Sequence, residues 1–331
     1  MLVPVTSKRK ILATLTWMLF LAVTPGSTSG CREQAATVAN ANAAVGQNGK
    51  VTDFDAGRAY DHVKNLVALG PRPAGSPALR KAEGYIETEL KSYKLKTVED
   101  SFNADTPHGK IPMVNVIAEI PGQKPDVVLI TGHYDTAPFP GFVGANDGGS
   151  SAASVLEMAR VLAGTTPEYT LWFVFFDGEE AIVKWEDPDN TYGSRHLSAK
   201  WAADGTLKRV KAMILVDMIG DKNLDISRDG ESTPWMVNAI WNTARQVGYG
   251  KYFLGNESGY SDDHIAFETE GIPVVDIIDF DYGPNNSYWH TKQDTLDKIS
   301  GESIKIVSDV VIRALPAVFS HLNGSRPASP Q

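Results

Sequence analysis

Apolar runs with no alternation limit this chain to few architectures. Leu171-Trp172-Phe173-Val174-Phe175-Phe176 and Ala212-Met213-Ile214-Leu215-Val216 are apolar at every position, so strands made from them must be covered on both faces. Met113-Val114-Asn115-Val116-Ile117-Ala118, Val127-Val128-Leu129-Ile130 and Val274-Val275-Asp276-Ile277-Ile278 read as further strands. Helical spacing fills the intervals. Ala59, Val63, Leu66 and Val67 share one face, Gly70-Pro71-Arg72-Pro73 breaks that helix, and residues 79–93, 151–162 and 304–322 follow the same period. Helices lead, and strands then alternate with helices. The expected fold is α/β: a three-layer sandwich with a central twisted, mixed but mostly parallel sheet and helices on both faces.

With 42% hydrophobic residues in 331, the chain can fill one large core, which excludes disordered and collagen-like classes. A single catalytic domain is expected over residues 53–324. The net charge of −9 comes from acidic residues spread along the chain, leaving no basic footprint for nucleic acid. Such a balance is mostly a solvated surface, although it suits substrates that carry a free ammonium group.

Residues 1–30 read as an export signal, with Lys8, Arg9 and Lys10 ahead of an apolar run at 11–23 that is too short to span a bilayer comfortably. The one cysteine, Cys31, follows Ser27-Thr28-Ser29-Gly30, small residues like those before the lipidated cysteine of a bacterial lipoprotein, although Thr28 stands where Leu is usual. An ordinary signal peptide with an incidental thiol is the plainer alternative. Residues 31–52, rich in Ala, Asn, Gln and Gly, read as a flexible tether, and 325–331 as a frayed tail. These features predict an exported protein, periplasmic or at the cell envelope, that meets a membrane only through a lipid on Cys31.

In an open α/β sheet, ligands collect outside the carboxyl ends of the strands, and the polar clusters fall there. His133 and Asp135 follow the strand at 127–130, Glu179 and Glu180 that at 171–176, Asp217 that at 212–216, and His290 lies beyond that at 274–278. Asp147, Glu180 and His290 are candidate zinc ligands. Taken alone, Asp147 in Gly144-Ala145-Asn146-Asp147-Gly148-Gly149 reads as a helix N-cap, with glycines allowing close backbone approach. Glu179-Glu180 alone reads as an acidic first helical turn. Adjacent side chains diverge, however, so one carboxylate can hold a metal while the other moves protons. His133 and His290 each precede an acidic residue, Asp135 and Asp294, able to orient the ring.

In order and spacing, Gly132-His133-Tyr134-Asp135, Gly144-Ala145-Asn146-Asp147-Gly148, Asp177-Gly178-Glu179-Glu180-Ala181, Val216-Asp217-Met218 and His290-Thr291 are similar to the clan of zinc aminopeptidases that also contains the glutaminyl cyclases. The resemblance runs from Gly70-Pro71-Arg72-Pro73 to the closing helix. In the aminopeptidases it implies two zinc ions, with Asp147 bridging and His133 and Asp217 ligating beside Glu180 and His290. In the cyclases it implies one, on Asp147, Glu180 and His290. Every residue type is present, so the ligands leave both branches open. The stretch from Glu179 to Leu197, the doubled aspartate Asp262-Asp263 and Trp289 before His290 resemble cyclases, whereas Gly148-Gly149-Ser150-Ser151-Ala152-Ala153 resembles aminopeptidases.

The cyclase resemblance implies conversion of the N-terminal glutamine of peptides or proteins to pyroglutamate with release of ammonia. Glu179 would shuttle the proton, Asp217 and Asp262 would hydrogen-bond around it, and Trp185 and Trp289 would wall the pocket against water. The rival is an aminopeptidase in which Glu179 activates a zinc-bound water. Each assignment has a plainer counterpart: packing for the tryptophans, a loop cap for Asp262, a second zinc for Asp217. Asp276, Asp279 and Asp281 crowd the same region without a pattern that assigns them a role. A catalytically dead scaffold would be expected to lack one of Asp147, Glu179, Glu180 or His290, and all four are present.

Overall fold

Asp55 starts the first helix among the described residues by accepting hydrogen bonds from the N–H groups of Gly57 and Arg58, at 2.8 and 3.1 Å. The computed structural model describes residues 54–324; the expected leader, tether and tail, with Cys31, lie outside the described residues. Helix α1 (Ala56–Val67) buries Ala59, Val63 and Leu66 and leaves Val67 half-buried. After the Gly-Pro-Arg-Pro break, Ser76 caps α2 (Pro77–Ser92), with Pro77 in its first turn.

The strands are β1 (Lys96–Thr106), β2 (Gly109–Ile120), β3 (Lys124–His133), β4 (Tyr169–Phe176), β5 (Val210–Asp217) and β8 (Val274–Ile278). They form one sheet in the order β1-β2-β4-β3-β5-β8. The four from β4 to β8 in that order run parallel, and β2 and β1 add antiparallel at one edge. Successive residues of β3 explain the unbroken apolar run. Val128 and Ile130 join the core formed with α1, α2, α3 (Gly149–Leu162), α5 (Pro234–Gln246) and α7 (Gly301–Gly324), whereas Val127 and Leu129 join one formed with Leu197 and Trp201 of α4 (Tyr192–Asp204) and Phe267 of α6 (Ile265–Glu268). Both faces of the sheet are therefore covered by helices, as expected for strands without alternation. A short parallel pair, β6 (Ile226–Asp229) and β7 (Phe253–Ser258), forms a separate two-stranded sheet.

Six elements, β1, α4, β6, α5, β7 and α6, were absent from the sequence reading, and three of them show why. Strand β1 is a polar edge strand with Val98 half exposed. In α4 the buried face mixes Gly193, Ser194 and Ser198 with Leu197 and Trp201, which erases apolar periodicity. In α5, by contrast, Met236, Val237, Ile240, Trp241 and Ala244 carry the helical period, and the signal was there to be read.

Arg72, expected only as part of a break, is fully buried. Its guanidinium donates to the carbonyls of Leu66, Gly70, Tyr134, Val143 and Gly144 at 2.7–3.4 Å, tying α1 to the loop after β3. Burial lowers its pKa to about 10, which still leaves it charged at neutral pH.

Candidate active site

The parallel strands end on one rim. His133 is the last residue of β3, Asp217 the last of β5, and Glu179 and Glu180 follow β4 in irregular backbone. The helical-turn reading of the glutamate pair therefore fails. The cap reading of Asp147 fails too: the N-cap of α3 is Gly148, with no side-chain cap bond. Gly148 has φ +78°, and a Cβ there would lie 2.2 Å from the Asp135 carbonyl oxygen, so glycine is what lets this loop fold back against β3 and aim Asp147 at the rim.

Asp147, Glu180 and His290 converge, with one ligand atom from each lying within 4.8 Å of the others. Nε2 of His290 is 3.3 Å from Asp147 Oδ2 and 3.1 Å from Glu180 Oε2. Those two carboxylate oxygens are buried and accept no hydrogen bond. Burial, with Asp147 adding, pushes the Glu180 carboxyl up to about 7; burial opposes charge on His290, but Asp147 and Glu180 override it and raise the ring to about 10. Two orphaned carboxylate oxygens and an imidazole nitrogen pointing at one spot fit a divalent cation, and a nitrogen with two oxygens suits zinc. His290 holds its place with φ +52°, a left-handed conformation costly for a residue with a side chain, of order 1–3 kcal/mol.

Neighbouring groups fix the ligands. Glu180 Oε1 accepts from the Ala137 N–H at 2.9 Å, and Asp135 accepts from the N–H groups of Glu179 and Glu180. Asp294, expected to orient His290, instead accepts from the N–H groups of Asn146 and Asp147 at 2.8 and 3.1 Å and from the Tyr282 hydroxyl at 2.7 Å. It supports Asp147, not the histidine. Asp135 does face its histidine, with Oδ1 3.4 Å from His133 Nδ1.

A second group, His133, Asp147 and Asp217, also lies within 4.8 Å. Its contacts differ. Asp217 Oδ1 accepts from Ser151 Oγ at 2.8 Å and from the Met218 N–H at 2.7 Å, and it lies 3.1 Å from His133 Nε2. That oxygen's lone pairs are already engaged.

Behind the metal triad, Glu179 is buried, with Oε2 3.6 Å from His133 Nδ1. Burial raises its pKa well above the ordinary value, with Asp262 and Glu180 adding and His133 opposing. Asp262 is raised well above the ordinary value by burial, then by Asp217 and Asp263. Its Oδ1 also accepts the Asp263 N–H, so part of the plainer turn-capping reading stands.

Glu179, Glu180, Asp147, Asp217, Asp262 and His290 line one cavity of about 340 Å³ with Trp185, Tyr260, Phe280 and Trp289. Trp289 stacks on His290 with ring centres 4.0 Å apart, Phe280 meets Trp289 edge-on at 4.9 Å, and Tyr260 lies 5.6 Å from Phe280. Trp185 stands at the mouth, 40% exposed. Tyr260, Phe280 and Ser151 were missed by the sequence reading, although Tyr260 lies two residues before the doubled aspartate. Of the three unassigned aspartates, Asp276 lies with Asp229 and His264 in a third buried cluster, and Asp279 accepts from the N–H groups of Asp225 and Asp281.

Known proteins are similar to this chain in sequence and fold. The glutaminyl-peptide cyclotransferase of Bos taurus is 30% identical over 279 residues, covering 72% of this chain and 76% of its own. The crystal structure of an Acidobacteriales bacterium glutaminyl cyclase is 41% identical and superposes with a TM-score of 0.79 over 83% of this chain and 98% of its own. A zinc-dependent exopeptidase from Parabacteroides distasonis is 29% identical with a TM-score of 0.71, over 80% and 99%. Residues 115–315, which include the four parallel strands, the candidate metal triad and the acidic rim, match the model for peptidase family M28: the chain belongs to peptidase family M28.

Proposed function

We propose that this enzyme is a glutaminyl-peptide cyclotransferase, which converts the N-terminal glutamine of peptides to pyroglutamate and releases ammonia. The observation that carries the reading is the pairing of one candidate metal triad, with orphaned ligand oxygens, and a neighbouring Asp217 whose Oδ1 is taken by Ser151, Met218 and His133. That pairing favours one zinc, and the cyclotransferase and cyclases among its relatives support the same chemistry.

Asp147, Glu180 and His290 would hold the zinc, whose chemistry at this place is Lewis-acid polarisation of the γ-amide carbonyl. Glu179 takes a proton from the attacking α-amine and returns it to the departing ammonia. Its raised pKa suits a group that must bind and release a proton within one turnover. Asp217 and Asp262 share the hydrogen bonding around it, and protons are distributed over the cluster. The Trp289, Phe280 and Tyr260 wall keeps the substrate folded on itself and limits competing water.

The second reading is an aminopeptidase, kept open by the proximity of His133, Asp147 and Asp217. Incubating the purified protein with a glutamine-initiated peptide separates the two. Cyclotransfer gives ammonia and a peptide of unchanged residue count, whereas release of a free amino acid, or turnover of leucine amide alone, would overturn the first reading. The leader sequence further supports export and attachment through Cys31.

A further inference from the structure

The irregular segment 181–191, between the metal-ligating Glu180 and helix α4, carries Trp185 to the mouth of the cavity. Its outer part is solvated, with Val183 63% exposed and Trp185 40% exposed, and it has neither sheet nor helix to satisfy its backbone. Ahead of Trp185, one buried side chain does so instead. The Asp189 carboxylate accepts from the N–H of Ile182 at 3.0 Å and the Tyr192 hydroxyl at 2.6 Å through Oδ1, and from the N–H groups of Val183 and Lys184 at 2.9 Å each through Oδ2. Those three N–H groups immediately precede Trp185. The far end of the segment is fixed to the acid/base residue itself, since the Thr191 N–H donates to the Glu179 carbonyl and the Tyr192 N–H to the Gly178 carbonyl, each at 2.7 Å.

We propose that Asp189 is a positioning residue for substrate: its carboxylate stands in for a missing ladder of backbone bonds and holds Trp185 as the outer wall of the pocket. This rests on the reading of the cavity as the substrate site. It also gives a physical reason for the stretch from Glu179 to Leu197 to be a distinguishing part of the sequence, since the loop and its buried clasp are one unit. Four donors on one carboxylate explain why an aspartate is buried here without a cation. The contacts print their mark on the acid as well, holding its pKa below the ordinary value against the opposing effect of burial.

The test is Asp189→Asn, which keeps the shape but turns one acceptor oxygen into an N–H₂ group facing backbone N–H donors. Expected are a rise in KM for a glutamine-initiated peptide of about fivefold or more, kcat within about threefold, and unchanged zinc content. In a Trp185→Ala background the same substitution should add little, because its effect passes through the tryptophan. Equal KM in wild type and Asp189→Asn, or full additivity of the two changes, would overturn the proposal. Should Asp189→Asn fail to fold, hydrogen exchange on the wild-type protein decides: amides 182–184 are expected to exchange roughly tenfold or more slowly than those of Trp185 and Asp187, and equal rates overturn it. A wild-type protein that cleaves leucine amide but cyclises nothing would sink the functional reading alone, because exchange and the KM-against-kcat split can still be measured with that substrate.

Discussion

Ser151 Oγ donates a 2.8 Å hydrogen bond to Asp217 Oδ1, the same oxygen that lies 3.1 Å from His133 Nε2. A serine in the first turn of α3 thereby competes for one oxygen of a candidate second-metal ligand. Native mass spectrometry of the wild-type protein should find one zinc per chain. Ser151→Ala, which frees a lone pair on Asp217, should raise occupancy by a second metal. Two tightly held zincs in the wild type would contradict this account.

Glu179→Gln removes the proton carrier and leaves Asp147, Glu180 and His290 in place. Turnover should fall by roughly 10²–10⁴ while zinc content stays at the wild-type level. Steady-state kinetics with metal analysis on the same preparation check both halves, and full activity would show that another group carries the proton.

Asp294 touches the zinc triad only through the backbone of Asn146 and Asp147. Asp294→Asn replaces one of its accepting oxygens with a donor and should weaken zinc binding roughly 10–100-fold, as loss of outer-shell support does. His290→Ala removes a ligand and should cost more. Competition against a chelator of known affinity ranks the two, and the reverse order would refute the assignment.

Asp279 gives the pH dependence of stability a definite sign. Burial pushes its folded pKa up to about 8, against an ordinary value of 3.8. Between those values the folded state holds a proton that the unfolded state has released, so its contribution to stability is full below about pH 4 and is lost as pH rises towards 8. Thermal unfolding midpoints should therefore decline from pH 5 to 8, and Asp279→Asn should make that decline shallower whatever its absolute offset. An unchanged slope would exclude Asp279 as its source.

Lipid attachment is tested at Cys31. In a bacterial host, the full chain should label with fatty acid and sediment with membranes, and Cys31→Ser should abolish both. A soluble, unlabelled wild-type product would leave the ordinary signal peptide.

Strands buried on both faces announced themselves, because consecutive apolar residues in β4 and β5 leave few alternatives. The rim was legible for the same reason, since polar residues closing an apolar strand have only the carboxyl end of the sheet to occupy. What stayed hidden depends on pairings between distant residues. Nothing local in Asp294 says that it will bond the backbone of Asp147, 147 positions away, and not its neighbour His290. Nor does anything local in Ser151 say that it will bond Asp217, 66 positions away. Strand β1 was invisible because an edge strand half in water needs no apolar pattern.

The buried guanidinium of Arg72 has a mechanical consequence. By grasping the end of the first helix and both sides of the bend at Gly144, it makes the amino-terminal helix a brace for the loop that delivers Asp147. Trimming the protein from that end should loosen its hold on the metal before the sheet itself comes apart.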